Sequence, residues 1–224
     1  VKSQERWRGI YRAPLLLHQI LVRGQYDFIY DQMPIRIRNM DWEQRANLIR
    51  SGLNFFHRRL KPWSYPLHMQ FELVNYCQLR CPVCATGTRE LERKPQTMDP
   101  ALFKQAMQAA GPRLLTLALW GWGEPLLHPS LGEILREARR YNAAILVSTN
   151  GQNLDRREVV EALIENPPTF LIVAMDGLTD ESNARFRVGA RLEPALQGME
   201  MLAKERARRK QPFPILHMRF MAMK

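Results

Sequence analysis

The chain has 224 residues, 46% of them apolar, which suffices for one sizeable core in a single α/β domain. No run approaches the 18 or so apolar residues of a membrane span and no secretory leader precedes the first charges, so the expected setting is soluble, reducing and, by default, cytoplasmic. The net charge of +11 is spread over Arg-rich faces and is not gathered in one aromatic-interleaved patch; a solvated basic surface is therefore the expected reading, ahead of nucleic acid or an anionic membrane surface as partner.

Residues 1–65 read as an N-terminal helical extension. Leu15–Val22 is an apolar helical run, and Asp41–Leu60 a second helix with Asp41 as N-cap and Leu48, Ile49, Leu53, Phe56 and Leu60 at helical spacing. Between them Asp27–Met33 is aromatic and fits neither period cleanly. Arg36, Arg38, Arg45, Arg50, Arg58, Arg59 and Lys61 make a cationic face that suits a membrane surface or a partner, with a helical cap on the main domain as the favoured expectation. Pro62 and Pro66 punctuate the junction with a main domain over 66–224.

From there strands and helices alternate. Apolar runs at Leu67–Val74, Leu114–Trp120, Ala144–Thr149, Thr169–Met175 and Ile215–Met223 predict strands, and Asp99–Ala110, Ser130–Tyr141, Asp155–Glu165 and Glu193–Arg208 predict helices. Asp99 followed by Pro100, Ser130 before its apolar stripe, and Glu193-Pro194 mark helix starts. This βα rhythm implies a parallel sheet with right-handed crossovers, in which reactive loops lie at the strand C-termini. The first predicted strand leads to the run Cys77-Gln78-Leu79-Arg80-Cys81-Pro82-Val83-Cys84. The next three end in Gly121-Trp122-Gly123-Glu124-Pro125, Ser148-Thr149-Asn150-Gly151 and Asp176-Gly177. Their glycines suit close backbone approach to a ligand, and Glu124, Asn150 and Asp176 supply polar ends.

All three cysteines of the chain fall within those eight residues. Thiolates at C-x3-C-x2-C spacing suit zinc or an iron–sulfur cluster. A structural zinc would need a fourth ligand, and His18, His57, His68, His128 and His217 all lie off finger-like spacing from Cys84. A 4Fe–4S cluster held by three cysteines leaves one iron open to a substrate. Buried thiols, or a disulfide with one thiol left over, are the plain alternatives.

From about Leu67 to Lys224 the chain resembles the radical S-adenosylmethionine (SAM) superfamily, most specifically in Cys77, Cys81 and Cys84. Gly121–Pro125 looks like that family's segment for the methionine amino group, and Ser148–Gly151 like its segment for the methionine or ribose. Arg187 is similar in placement to an arginine that meets the SAM carboxylate in the peptide-modifying branch, whose members often carry an additional cluster domain. The resemblance implies a partial parallel (β/α)6-type barrel, with the three cysteines holding a 4Fe–4S cluster. SAM would be bound at Val83, Gly121, Gly123, Glu124, Ser148, Asn150 and Arg187, with the Val83 backbone against the adenine. It also implies an electron donor such as flavodoxin or ferredoxin, and one-electron cleavage of SAM to a 5′-deoxyadenosyl radical that abstracts hydrogen from a substrate. That substrate is open between a peptide, a metabolite and an RNA base. The chain departs from the family pattern at Trp122, between the two glycines, at Ala174, where related chains often have a serine, and at Val83, which replaces a common aromatic. Its end at Lys224, after a fifth strand, suggests an N-terminal fragment of a longer protein. The alternative function is a zinc-binding module that grips nucleic acid.

Overall fold

The computed structural model describes residues 13–221. After the extension, the apolar runs form one five-stranded, all-parallel sheet in sequential order. Its strands are numbered after the two of the extension: β3 (His68–Gln70), β4 (Thr116–Leu119), β5 (Ala144–Thr149), β6 (Phe170–Ala174) and β7 (Ile215–Arg219). The crossovers carry α3 (Pro100–Ala110), α4 (Leu131–Ala138), α5 (Arg157–Glu165), the short α6 (Asp180–Ala184) and α7 (Leu192–Arg208). Continuous apolarity follows from burial on two faces. Leu117, Leu119, Ile145, Val147, Leu171 and Val173 pack against Phe103, Met107, Ile134, Leu135, Leu163 and Leu202 of the helices, whereas Ala144, Leu146, Phe170 and Ile172 point the other way into a second cluster.

That second cluster is completed by the extension. A helix over 13–21 (α1) and α2 (Trp42–Phe56) appear as expected, with the Asp41 carboxylate accepting from the Gln44 N–H at 2.8 Å. The ambiguous aromatic stretch is an antiparallel hairpin of β1 (Tyr26–Tyr30) and β2 (Met33–Ile37). Its two-residue turn, Asp31-Gln32, has positive φ at both positions, as a hairpin turn matched to strand twist requires. Met33, Ile35 and Ile37 point inward with Met40 and Leu48 against the sheet, while Pro34 and Arg36 face out. The period of two was present in Met33–Ile37, but Pro34 argues against a strand except at an edge, which is where it lies.

Boundaries moved for identifiable reasons. The strand predicted over Leu67–Val74 keeps sheet pairing only at His68–Gln70; beyond it the chain pairs antiparallel with the segment before α3, through Met98 N–H to Leu73 O at 2.8 Å and the Val74–Thr97 bridge. Helix α2 stops at Phe56 instead of Leu60, and Arg58 follows with φ of 48°. Asp99 caps α3, its carboxylate accepting from Ala101 N–H. Ser130 makes no side-chain cap; its own N–H donates to His128 Nδ1 at 3.0 Å. Helix α6 went unpredicted, although Thr179 and Ser182 form a capping box.

Candidate active site

The cysteine loop begins where the chain turns over the end of the first strand, and it is held by backbone contacts and by buried Leu79. Cys84 N–H donates to Cys81 O at 3.2 Å, and Arg80 N–H reaches Val188 O at 3.0 Å. Gly87 lies so close that a Cβ there would sit 2.4 Å from Cys81 O; only glycine lets the returning chain cradle the loop. The three thiols are free and half-buried. Cys77 Sγ accepts from Leu79 N–H and from Asn150 Nδ2, both at 3.4 Å. Burial pushes the Cys77 thiol up to about 11, with the Glu124 carboxylate adding to it, and burial raises Cys81 as well. A metal binding there displaces thiol protons.

The next strand end is pinned from below. Glu72 Oε1 accepts from the Trp122 N–H at 2.8 Å, and its carboxylate is forked by Arg93 at 2.7 and 3.3 Å. Burial pushes Glu72 upward, but Arg93 and the Trp122 and Gly123 amides outweigh it and hold the carboxyl below its ordinary range. Gly123 packs against Val74, where a Cβ would overlap the carbonyl at 1.9 Å. Its missing side chain thus serves close approach of two protein segments.

Glu124 is buried, and both its carboxylate oxygens accept from protein. Oε1 takes the Thr149 hydroxyl at 2.6 Å and the Leu126 N–H at 3.1 Å, and Oε2 takes the Asn150 N–H at 2.8 Å. Burial raises its pKa against these donors. It therefore ties the second strand end to the third. Asn150, bonded through Oδ1 to Gln78 Nε2 at 3.3 Å and Gln152 N–H at 3.0 Å, ties the third to the cysteine loop. Arg187 donates from Nε to Asp176 Oδ2 at 2.6 Å, and Asp176 Oδ1 accepts from Met221 N–H.

These segments converge. One cleft of about 250 Å³ is lined by Cys77, Cys81, Val83, Cys84, Gly121, Gly123, Glu124, Ser148, Asn150 and Arg187, every site residue expected from the sequence, together with Trp120, Ala174 and Asp176. Val83, 74% exposed, and Trp122, 52% exposed, stand at its mouth. A larger groove of about 760 Å³ runs alongside, from Glu72 to Leu102, and contains none of the thiols. Sequence reasoning missed Glu72, Gln78 and Gly87. Glu72 stood in plain view inside a strand-like apolar run, a carboxylate where packing alone would place none.

The donor set fits an iron–sulfur cluster. Three free thiols share one cleft, and two residues beyond Cys84 the Thr86 hydroxyl is buried with no partner, a donor left over in the loop. Among the described residues no group of three or more His, Cys, Asp or Glu side chains, the three cysteines included, stands in metal-holding geometry, so the fit rests on the three free thiols that line one cleft, and a structural zinc would need a fourth ligand besides them. His128 is committed at both ring nitrogens, donating from Nε2 to Met98 O and accepting at Nδ1 from Ser130 N–H.

A parallel βα half-barrel with a three-thiol loop at the C-terminal rim defines a class of cluster-dependent enzymes, and comparison with known proteins narrows it. The model of the Radical SAM superfamily matches residues 71–213, more than half of the chain. The chain belongs to the radical SAM superfamily, whose members are enzymes that use a 4Fe–4S cluster and SAM. Among similar proteins is the PqqA peptide cyclase of Gluconobacter oxydans, 34% identical over 45% of this chain and 27% of the relative. Another is the antilisterial bacteriocin subtilosin biosynthesis protein AlbA of Bacillus subtilis, 32% identical over 64% of this chain and 30% of the relative. The chain thus matches about a third or less of these relatives' length. Streptococcus suis SuiB shares the fold. Bound to S-adenosylmethionine it superposes with a TM-score of 0.56 at 20% identity over 73% of this chain and 37% of that one. Bound to the precursor peptide SuiA the TM-score is 0.57 at 17% identity, over 90% and 44%.

Proposed function

We propose that residues 66–224 form the core of a radical SAM enzyme that modifies a peptide, with the cluster on Cys77, Cys81 and Cys84 and SAM lying across the cleft toward Arg187. The observation that carries this reading is the convergence of four strand-end segments and Arg187 on one cleft beside three free thiols. The cluster, once reduced by the electron donor, would supply the single electron for reductive cleavage of bound SAM and so the means to abstract a hydrogen atom from the substrate.

This chain's residues orient and enclose. Glu72 holds the segment through the Trp122 N–H, and the carbonyls of Gly121–Gly123 are the groups that accept from the SAM ammonium, which can only donate. Glu124 acts through Asn150 and Thr149, which it holds in place, and Asn150 and Ser148 meet the ligand. Arg187 keeps Nε on Asp176 and offers its remaining N–H donors as a fork to the SAM carboxylate. The Val83 backbone meets the adenine at the mouth. A peptide substrate is supported by the relatives, which include a peptide cyclase and a bacteriocin biosynthesis protein. A flavodoxin or ferredoxin is the proposed electron donor.

The test is 5′-deoxyadenosine release by anaerobically reconstituted, chemically reduced protein given SAM. Release that disappears in Cys81→Ala supports the reading. None from wild type fully loaded with iron and sulfide would contradict it.

A further inference from the structure

The apolar surface of this protein is unevenly distributed. Of the twenty-four large apolar side chains exposed on the described residues, thirteen lie between Leu15 and Tyr65. The sharpest concentration is at the end of α2 and the turn after it, where Phe55 is 88%, Phe56 79% and Leu60 99% exposed, with Trp63 beside them. Values this high belong to side chains that protrude from a surface. Surface apolar residues scattered singly are unremarkable, but a contiguous set of this size marks an interaction surface.

The turn is built to hold these groups out. Asn54, buried, donates from Nδ2 to Ser64 Oγ at 2.8 Å and accepts at Oδ1 from Trp63 N–H at 3.0 Å, stapling the turn to the helix. Arg59 N–H donates to Asn54 O, and the Arg59 guanidinium stacks 3.7 Å over the Trp63 ring. Asn47 fixes the exit by accepting from Tyr65 N–H at 2.8 Å and donating to Tyr65 O at 3.2 Å. The tip is pre-ordered, so a partner meets it without first ordering it.

Its charge is single-signed. No Asp or Glu occurs between Glu43 and Glu72, whereas Arg45, Arg50, Arg58, Arg59 and Lys61 all do. Among the described residues the ion pairs lie elsewhere, so Arg50, Arg58 and Lys61 can meet an anionic surface, and Arg59, its Nε on Lys61 O at 3.2 Å, keeps its terminal N–H donors for the same use. Helix α1, tied to α2 by Arg45 Nη1 to Leu21 O at 2.7 Å, exposes Leu15, Leu16 and Leu17 as well. No described helix is long and apolar enough to cross a membrane.

We infer that the turn at residues 55–63 docks this protein on an anionic lipid surface, with Phe55, Phe56, Leu60 and Trp63 entering the headgroup boundary and Arg58, Arg59 and Lys61 meeting lipid phosphates. Protruding apolar groups ringed by cations match the interfacial mode of membrane binding. A nucleic-acid duplex, its bases stacked inside, would engage the cations and leave the apolar tip without a counterpart. The turn precedes β3 and so lies at the N-terminal ends of the strands, opposite the cleft, whose mouth stays clear. This inference does not depend on the chemistry proposed for the cleft.

Co-sedimentation of the full chain with phosphatidylcholine vesicles, with and without phosphatidylglycerol, tests it. The protein should pellet with the phosphatidylglycerol vesicles, remain in solution with the neutral ones, and be released by high salt. Phe55→Ser/Phe56→Ser/Leu60→Ser and, separately, Arg58→Glu/Lys61→Glu should each lower the vesicle affinity about tenfold or more. These side chains are exposed, and an unchanged circular dichroism spectrum confirms folding of each variant. No pelleting of wild type at low salt, or equal pelleting of the triple-serine variant, would overturn the inference. So would binding to duplex DNA but not to vesicles, or a dimer in sedimentation velocity that the triple-serine variant alone dissolves.

Discussion

At the C-terminal ends of the strands, polar side chains reach between segments distant in sequence: half-buried Glu72 to Trp122, exposed Gln78 to Asn150 and Asn153, buried Glu124 to Thr149 and Asn150. At the N-terminal ends Gln44 reaches Leu114 O and Asn142 O, Asn47 reaches Tyr65 and Arg113, and Asn54 reaches Trp63 and Ser64. The two sets differ in charge. The upper one adds to its amides the carboxylates of Glu72 and Glu124, whose strong acceptance from several N–H and O–H donors fixes loops around a cleft. The lower one is built on neutral amides, which bind loops to the sheet without adding negative charge near Arg50, Arg58, Arg59 and Lys61. A buried polar group stabilises only when fully partnered, so each set is specific and fragile.

The comparison breaks first at Glu124. Glu124→Ala leaves the Thr149 hydroxyl and two amide N–H groups buried without their acceptor, and should destabilise the fold by about 3 kcal/mol or more in urea denaturation. A loss below about 1 kcal/mol would mean that the upper set is not structural. Next come the groups proposed to face the ligand. Asn150→Ala and Arg187→Ala should each weaken SAM binding by about 1.5–3 kcal/mol in equilibrium dialysis, the range for a charge-assisted hydrogen bond, while the visible absorption of the cluster persists. Unchanged affinity in both would place SAM elsewhere. At the lower end, Asn54→Ala should cost about 1–2 kcal/mol and make the bonds around Trp63 more open to proteolysis, with cluster content unaffected.

The smallest effect is that of pH at Glu72. Its folded-state pKa lies below the ordinary value, so its stabilising contribution is complete above the ordinary carboxylate range and is lost as the pH falls through the lower folded value. Glu72→Gln should therefore flatten the acid limb of a stability-versus-pH curve. A variant with the same acid limb as wild type would remove Glu72 from the account.

Much of this was readable in advance. Apolar runs marked the central strands β4, β5 and β6 because the middle of a parallel sheet is buried on both faces, and motifs at strand ends fell together because parallel strands put their C-termini on one rim. All ten expected site residues line one cleft. What escaped was long-range polar pairing. Glu124 resembles a ligand-binding carboxylate in the sequence; only the fold shows both its oxygens turned to Thr149, Leu126 and Asn150. Gly87 reads as a turn residue until Cys81 is seen packed against it. The hairpin escaped for a local reason, since Pro34 opposed a strand and Asp31-Gln32 lacks the glycine that usually marks such a turn.

The central claim is that Cys77, Cys81 and Cys84 hold a four-iron cluster whose open iron faces the cleft. Iron and acid-labile sulfide content after anaerobic reconstitution tests it most directly. The account predicts about four of each per chain, with broad absorption near roughly 400 nm that is lost on replacing any of the three cysteines by alanine. Stoichiometric zinc without sulfide, or a full cluster surviving Cys81→Ala, would contradict it.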